Sequence, residues 1–180
     1  MKKKLIISGL LLLFLAACIR DTDFDQVEDF VWQPISEVNF IYTTLHFGQL
    51  DTLPGNSDLL TVVDTTEIRF LNENFMQESL RQVDFYFKTT NGFSLPAEAR
   101  FNFLSEENEP FYEIVFDIPS GNPETPVISE HTHIILGEDI TLFTQNDKVV
   151  LSFTTEAPQD SISGTLNLQS KATFYIEYTP

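Results

Sequence analysis

Short runs of β-branched and aromatic residues, separated by turn-forming residues, recur along the chain from residue 38 onward, a pattern of strands rather than helices. The runs predict strands at 38–47, 60–63, 67–71, 82–88, 100–104, 111–117, 131–136, 139–143, 148–154, 161–168 and 172–178. In two of them the alternation is clean. Val83, Phe85 and Phe87 oppose Asp84, Tyr86 and Lys88, and Ile162, Gly164, Leu166 and Leu168 oppose Ser161, Ser163, Thr165 and Asn167. A period of two gives each strand one face for a core and one for water. Only Phe75, Met76, Ser79 and Leu80 repeat at helical spacing, which predicts a turn or two of helix.

The strands follow one another at roughly ten-residue spacing with no long helical pattern between them, which predicts an all-β antiparallel sandwich over residues 30–180. A closed or partly closed barrel is the alternative. Asn91-Gly92 and Asn146-Asp147 read as hairpin-type turns joining neighbouring strands. Pro119-Ser120-Gly121-Asn122-Pro123-Glu124-Thr125-Pro126 cannot continue a central strand, so it is a surface loop or a hinge between two groups of strands. The 17 phenylalanines are first of all core fillers, and a Phe-lined cavity for an apolar ligand is the competing use.

The N-terminus follows different rules. Lysines at 2–4 precede an apolar run of 13 residues, Leu5–Ala17, and then the only cysteine, in the string Leu15-Ala16-Ala17-Cys18. A run of that length fits the 7–15 residues of a signal peptide core and falls short of the roughly 20 that cross a bilayer. The string resembles the lipobox of bacterial lipoproteins. The resemblance implies that residues 1–17 are a signal peptide, that the mature chain begins at Cys18, and that acyl chains are attached there. Several acyl chains hold a domain at a membrane without a spanning segment, since each buried CH₂ contributes about 0.8 kcal/mol. Residues 18–29 then form an acidic tether, including Arg20-Asp21-Thr22-Asp23-Phe24-Asp25. Lipobox, tether and Phe-rich strands together resemble the small β-rich outer-membrane lipoproteins of Bacteroidota. In that group an acidic stretch after the cysteine can direct export to the cell surface, so the surface is favoured here over the periplasmic side.

Removal of residues 1–17 takes away three lysines and no acid, so the formal charge moves from −17 to −20, with seven basic side chains against 27 acidic ones. Nucleic acid and anionic lipid are therefore repelled, while a basic protein surface is attracted. With Cys18 acylated, no thiol remains for a disulfide, a nucleophile or a metal.

His131 and His133 lie two apart in a predicted strand and so project to one face. They are a candidate Zn²⁺ pair if His46 or a carboxylate from another strand, with Glu130 and Glu138 nearest in sequence, completes a tetrahedron. The alternative is two ordinary histidines on the polar face of a strand. No Gly-x-Ser-x-Gly, His-Glu-x-x-His, phosphate loop or dinucleotide fingerprint occurs, so no catalytic residue and no cofactor is assigned. The expected function is a non-catalytic, membrane-anchored binding or scaffold subunit of an outer-membrane protein assembly. Its partner is an envelope protein with a basic surface, met through edge strands and the 119–126 loop. The competing readings are a carrier of an apolar ligand and an envelope glycan hydrolase, the latter requiring two carboxylates converging in a cleft.

Overall fold

The computed structural model describes residues 30–46, 51–53, 56–156 and 163–179. The expected signal segment 1–17, the candidate lipidation residue Cys18 and the tether 18–29 lie outside the described residues. All elements belong to one compact unit, Trp32–Tyr178. Among the described residues nine strands run in chain order as β1 (Ile35–His46), β2 (Asp51–Leu53), β3 (Asn56–Glu67), β4 (Leu80–Asn91), β5 (Ala97–Leu104), β6 (Pro110–Ile118), β7 (Val127–Leu136), β8 (Lys148–Glu156) and β9 (Thr165–Ile176). A 3₁₀ turn at Arg69–Asn72 and helix α1 (Asn74–Ser79) precede β4, and helix α2 (Glu138–Phe143) precedes β8.

The strands form two antiparallel sheets, ordered β1-β9-β4-β7 and β2-β3-β8-β5-β6. Only β2–β3 and β5–β6 pair with a chain neighbour, and every other connection crosses between sheets. With the three-residue β2 set aside, the long strands counted in chain order run 1-8-3-6 in one sheet and 2-7-4-5 in the other. This is the interleaving of a jelly roll, so the expected antiparallel sandwich is the fold, with sheets that remain separate rather than a closed barrel.

Aromatic side chains hold the sheets together. Alternation along β4 buries Val83, Phe85 and Phe87, and alternation along β5 buries Ala99, Phe101 and Phe103. The two rows meet across the core, with ring centroids 4.7 Å apart for Phe87 and Phe101 and 5.8 Å for Phe85 and Phe103. Phe40 of β1 and Phe116 of β6 extend the layer, at 6.3 Å from Phe103 and 5.0 Å from Phe87 respectively. Phe85, Phe87, Phe101 and Phe103 are wholly buried, so these rings fill the space between the sheets. Strand β9 lies between β1 and β4, and adds Leu166, Leu168, Ala172 and Phe174 to the core. Opposite Ser170, strand β1 carries one residue too many, and Ser170 Oγ completes the ladder, accepting from Ile41 N and donating to Ile41 O at 2.9 Å each.

Asn91-Gly92 is not a hairpin, because β4 and β5 lie in opposite sheets. Asn91 is fully buried and acts as a bracket for the arch between them. Its Nδ2 donates to Leu95 O at 3.0 Å and Pro119 O at 2.8 Å, and its Oδ1 accepts from Phe93 N at 2.8 Å. Gly92 N donates to Thr165 O and Gly121 N to Phe93 O, both at 2.8 Å. Gly121 is required here, since a Cβ would overlap the Asn91 carbonyl. The 119–126 segment is therefore a connection from β6 to β7 across the sheets, fastened to the arch at one end and closed by Asn122 Oδ1, which accepts from Glu124 N at 3.0 Å and Thr125 N at 2.7 Å.

Four further expectations need correction. The predicted strand 139–143 is helix α2, where Glu138 and Asp139 occupy the favourable first turn and Ile140 and Phe143, three apart, are the buried pair. Asn146-Asp147 accordingly joins a helix to a strand. The Asn146 amide caps the helix end by donating to Leu142 O at 3.1 Å and Phe143 O at 2.8 Å. In the predicted strand 67–71, Glu67 ends β3, and the chain then turns so that Ile68 and Leu71, three apart, both enter the core. The helical reading at Phe75–Leu80 corresponds to α1, and the separate strands 161–168 and 172–178 are replaced by one strand, β9, over Thr165–Ile176.

Truncation after Lys171 is expected to abolish cooperative unfolding. It removes the β9 residues that pair with both β1 and β4, including Phe174. Burial of each large side chain contributes about 1.5–3 kcal/mol against a total stability of about 5–15 kcal/mol. A thermal melt followed by near-ultraviolet circular dichroism checks this. Asn91→Ala removes the side-chain partner of Phe93 N, which is buried, and of Leu95 O and Pro119 O, which are partly buried, and is expected to destabilise by about 1–3 kcal/mol in urea titration.

Candidate functional site

The sandwich has edges at β1, β7, β2 and β6, and they are unequally guarded. Strand β1 is interrupted by the bulge at Ser170, β2 is three residues long, and β6 presents Glu113 and Asp117 outward. Strand β7 has neither a bulge nor a short span, and a single outward carboxylate, Glu130, is its one protection. Its register with β4 runs unbroken from Gln82↔Leu136 to Asn91↔Val127, and among the described residues no strand pairs with its other side. Outward from the sheet it turns Ile128, Glu130, Thr132, Ile134 and Leu136, of which the three aliphatic residues are each at least half exposed. A long, straight, apolar edge of this kind is a template for a further strand.

The inner face of β7 holds Ser129, His131, His133 and Ile135. His131 and His133 do share a face, as their spacing requires, but it is the half-buried inner face rather than the polar outer one. They line the seam where β7 approaches β6. The His131 ring stacks on Phe116 at 4.7 Å and 17°, and His133 Nε2 is 2.9 Å from Tyr112 Oη. Either atom of that pair donates, according to the histidine tautomer. Phe143 of α2 covers Tyr112 edge-on at 6.2 Å. The two imidazole centroids are 6.4 Å apart, and His131 Nε2 is buried with no hydrogen-bond partner.

Burial moves the groups of the seam in a common direction. Desolvation lowers the pKa of His131 below the ordinary 6.5. It does the same to His133, reinforced by His131 and opposed by the Asp139 carboxylate. Tyr112 is raised above 10.0 by desolvation and then by Asp139. Near neutral pH the cluster is therefore an uncharged set of hydrogen-bonding rings.

The remaining candidate ligands are dispersed. His46 is on β1, at the opposite edge of the same sheet, Glu130 points from the outer face of β7, and Glu138 opens α2. Among the described residues no three of histidine, cysteine, aspartate and glutamate come together in a metal-holding group. Cys18 lies outside the described residues. At the end of β6, an open cleft of about 690 Å³ is lined by Glu98, Asp117 and Glu156 together with Leu59, Ile118 and Thr154. Glu98 and Asp117 are register partners there, and Glu98 is engaged by Arg100 at 2.9 Å. Among the described residues no phenylalanine lines this cleft.

The apolar edge was missed from sequence because 131–136 covers only half of β7. The signal was present in Ile128, Ile134 and Leu136 on one parity and Val127 and Ile135 on the other, a strand apolar on both faces. Tyr112 and Phe116 had no local signal, since their contact with β7 is made across the sandwich.

No protein-family model matches the chain, and no curated protein matches it in sequence. Among solved structures it is similar to a protein of Parabacteroides distasonis ATCC 8503 described as secreted, with a TM-score of 0.44 and 13% identity over 64% of this chain and 38% of that one. It is also similar to a chain of the infectious bursal disease virus Gx strain, with a TM-score of 0.46 and 8% identity over 80% of this chain and 32% of that one. A third is the enzymatically active domain of bacteriophage CBA120 tailspike protein 4, with a TM-score of 0.39 and 14% identity over 81% of this chain and 19% of that one. The chain thus spans less than half the length of each of these structures.

The seam predicts an acid-sensitive fold. Because both histidine pKa values are lower in the folded state, the unfolded chain takes up protons first as pH falls. The histidine contribution is complete above about pH 6.5 and declines as pH drops through the folded values. Melting temperature measured from pH 8 to 5 is expected to fall less steeply in His131→Gln/His133→Gln than in the parent chain.

Proposed function

We propose that the chain is a lipid-anchored, non-catalytic binding or scaffold subunit of an outer-membrane protein assembly, and that it adds a strand of its partner to β7. The observation that carries this reading is the uninterrupted β7 edge with Ile128, Ile134 and Leu136 exposed beside unpaired backbone. Main-chain hydrogen bonds would supply affinity and the alternating side chains specificity. The string Leu15-Ala16-Ala17-Cys18 supports acylation at Cys18, and no helix among the described residues is long and apolar enough to cross a membrane. In this reading the mature chain starts at Cys18 and belongs with the small β-rich outer-membrane lipoproteins of Bacteroidota, exposed at the cell surface.

The charge of −20 expected after loss of residues 1–17 favours a partner with a basic surface and raises its rate of encounter. The loop 119–126 enters β7 directly and provides a second contact surface beside the edge. The wholly buried phenylalanines favour this reading over an apolar carrier.

The test is mild detergent extraction of the full chain from its native membrane, affinity purification and mass spectrometry of what accompanies it. A stoichiometric outer-membrane protein is the expected result. A monomer retaining lipid would favour the carrier, and a monomer cleaving a glycan panel would sink both. Ile134→Lys places a charge on the edge, and is expected to lose the partner while changing stability by less than about 0.5 kcal/mol.

A further inference from the structure

We infer that the end of the sandwich at which the chain enters the fold rests against a zwitterionic lipid headgroup surface, through Trp32, Phe70, Phe75 and Tyr178. This builds on the reading of Cys18 as an acylated anchor. The start of β1, the start of β4 and the end of β9 share this end, since Ile35 opposes Tyr175 and Leu80 opposes Ile176. The four aromatic residues stand around it. Trp32 and Tyr178 exchange two backbone hydrogen bonds of 2.8 Å, the Phe75 ring is 5.7 Å from Tyr178, and the Phe70 ring meets Phe174 edge-on at 5.8 Å. They are nonetheless exposed, Trp32 at 49%. Ile35, also exposed, lies at the same end of the sheet.

Exposed aromatic residues held on rigid backbone are costly in water unless something covers them, and two facts name the cover. The first is the tether. About 14 residues separate Cys18 from Trp32, and at no more than about 3.6 Å per residue they keep the membrane within about 50 Å of this end, whatever the tether's path. Trp and Tyr, with apolar bodies and polar rims, are the side chains that partition to the headgroup level of a bilayer.

The second is charge. Two of the few basic residues, Arg69 and Arg81, flank the patch and are already paired with Glu67 at 3.3 Å and Glu177 at 3.5 Å. Glu73 precedes α1 and Glu78 lies in it, and both add negative charge, so an anionic surface is repelled and a zwitterionic one is not. In this orientation the β7 edge, which runs away from the membrane, stays open to a protein partner.

Trp32 is the chain's single tryptophan and reports on the patch directly. The full acylated chain is reconstituted in phosphatidylcholine vesicles, with ordinary or brominated acyl chains, and the mass of the Cys18 peptide is measured in the same sample. The expected result is acylated Cys18, Trp32 emission moved to shorter wavelength and quenched by brominated lipid, and protection from iodide. Phe75→Ser/Tyr178→Ser should keep acylation and the thermal melt while losing the quenching by lipid. An acylated, vesicle-bound chain whose Trp32 is quenched by iodide as fully as unacylated Cys18→Ser in buffer overturns the inference. So does iodide protection without bromolipid quenching in a chain that sediments as a dimer, which assigns the patch to a second copy. A Cys18 peptide without added mass removes the anchor itself, and with it the reason to expect lipid at this end.

Discussion

Strands β4 and β5 follow one another in the chain and face one another across the core instead of pairing side by side. The arch between them is what makes this workable, because a chain that leaves one sheet and joins another must bury backbone groups that neither ladder satisfies. Asn91 meets that requirement with one side chain, engaging Phe93 N, Leu95 O and Pro119 O. Once the arch is set, Phe85 and Phe87 are opposite Phe101 and Phe103, and the sheet separation follows from the thickness of those rings. Gly121 and the β6–β7 connection are drawn to the same point, so one buried amide coordinates two of the crossings between sheets.

The same topology explains why the edges differ. A jelly roll does not close, and each sheet must protect its ends separately. Ser170 repairs the β1 ladder where the strand bulges, and carboxylates guard β6. The inner face of β7 is occupied by two imidazoles, His131 stacked on Phe116 and His133 edge-on and hydrogen-bonded to Tyr112, a half-polar seam that tolerates proximity to solvent better than aliphatic packing would. Its outer face remains apolar and uncharged except at Glu130.

Electrostatics contributes little to holding this fold and much to its surroundings. Arg69, Arg81, Arg100 and Lys171 each pair with a glutamate, but all these side chains are at least a third exposed, where such pairs contribute about 0–1 kcal/mol. With 27 acids against 10 bases in the whole chain, most carboxylates have no cationic partner available. The result is a strongly acidic surface, within which the apolar edge and the aromatic end are the places where contact is least opposed by charge.

Alternation was legible in the sequence wherever one strand face meets the core, as at Val83, Phe85 and Phe87 or at Leu166 and Leu168, because side-chain parity is a property of the strand itself. The sandwich class was legible for the same reason, and so was the short helix at Phe75–Leu80. The role of Asn91-Gly92 was not, since a hairpin and an inter-sheet arch share the same turn residues and differ only in which distant strand comes to pair. Asp139–Phe143 looks like a strand by composition and is a helix because Ile140 and Phe143 reach the core together only at a three-residue spacing. The histidine pair was visible as a pair, and its spacing put both rings on one face. That this face is the inner one, against Tyr112 and Phe116, depended on residues 15–21 positions away in a strand of the other sheet. Local sequence determined the period and the polarity of each element. Pairing, edges and the surroundings of each side chain were decided by long-range packing, which no local window contains.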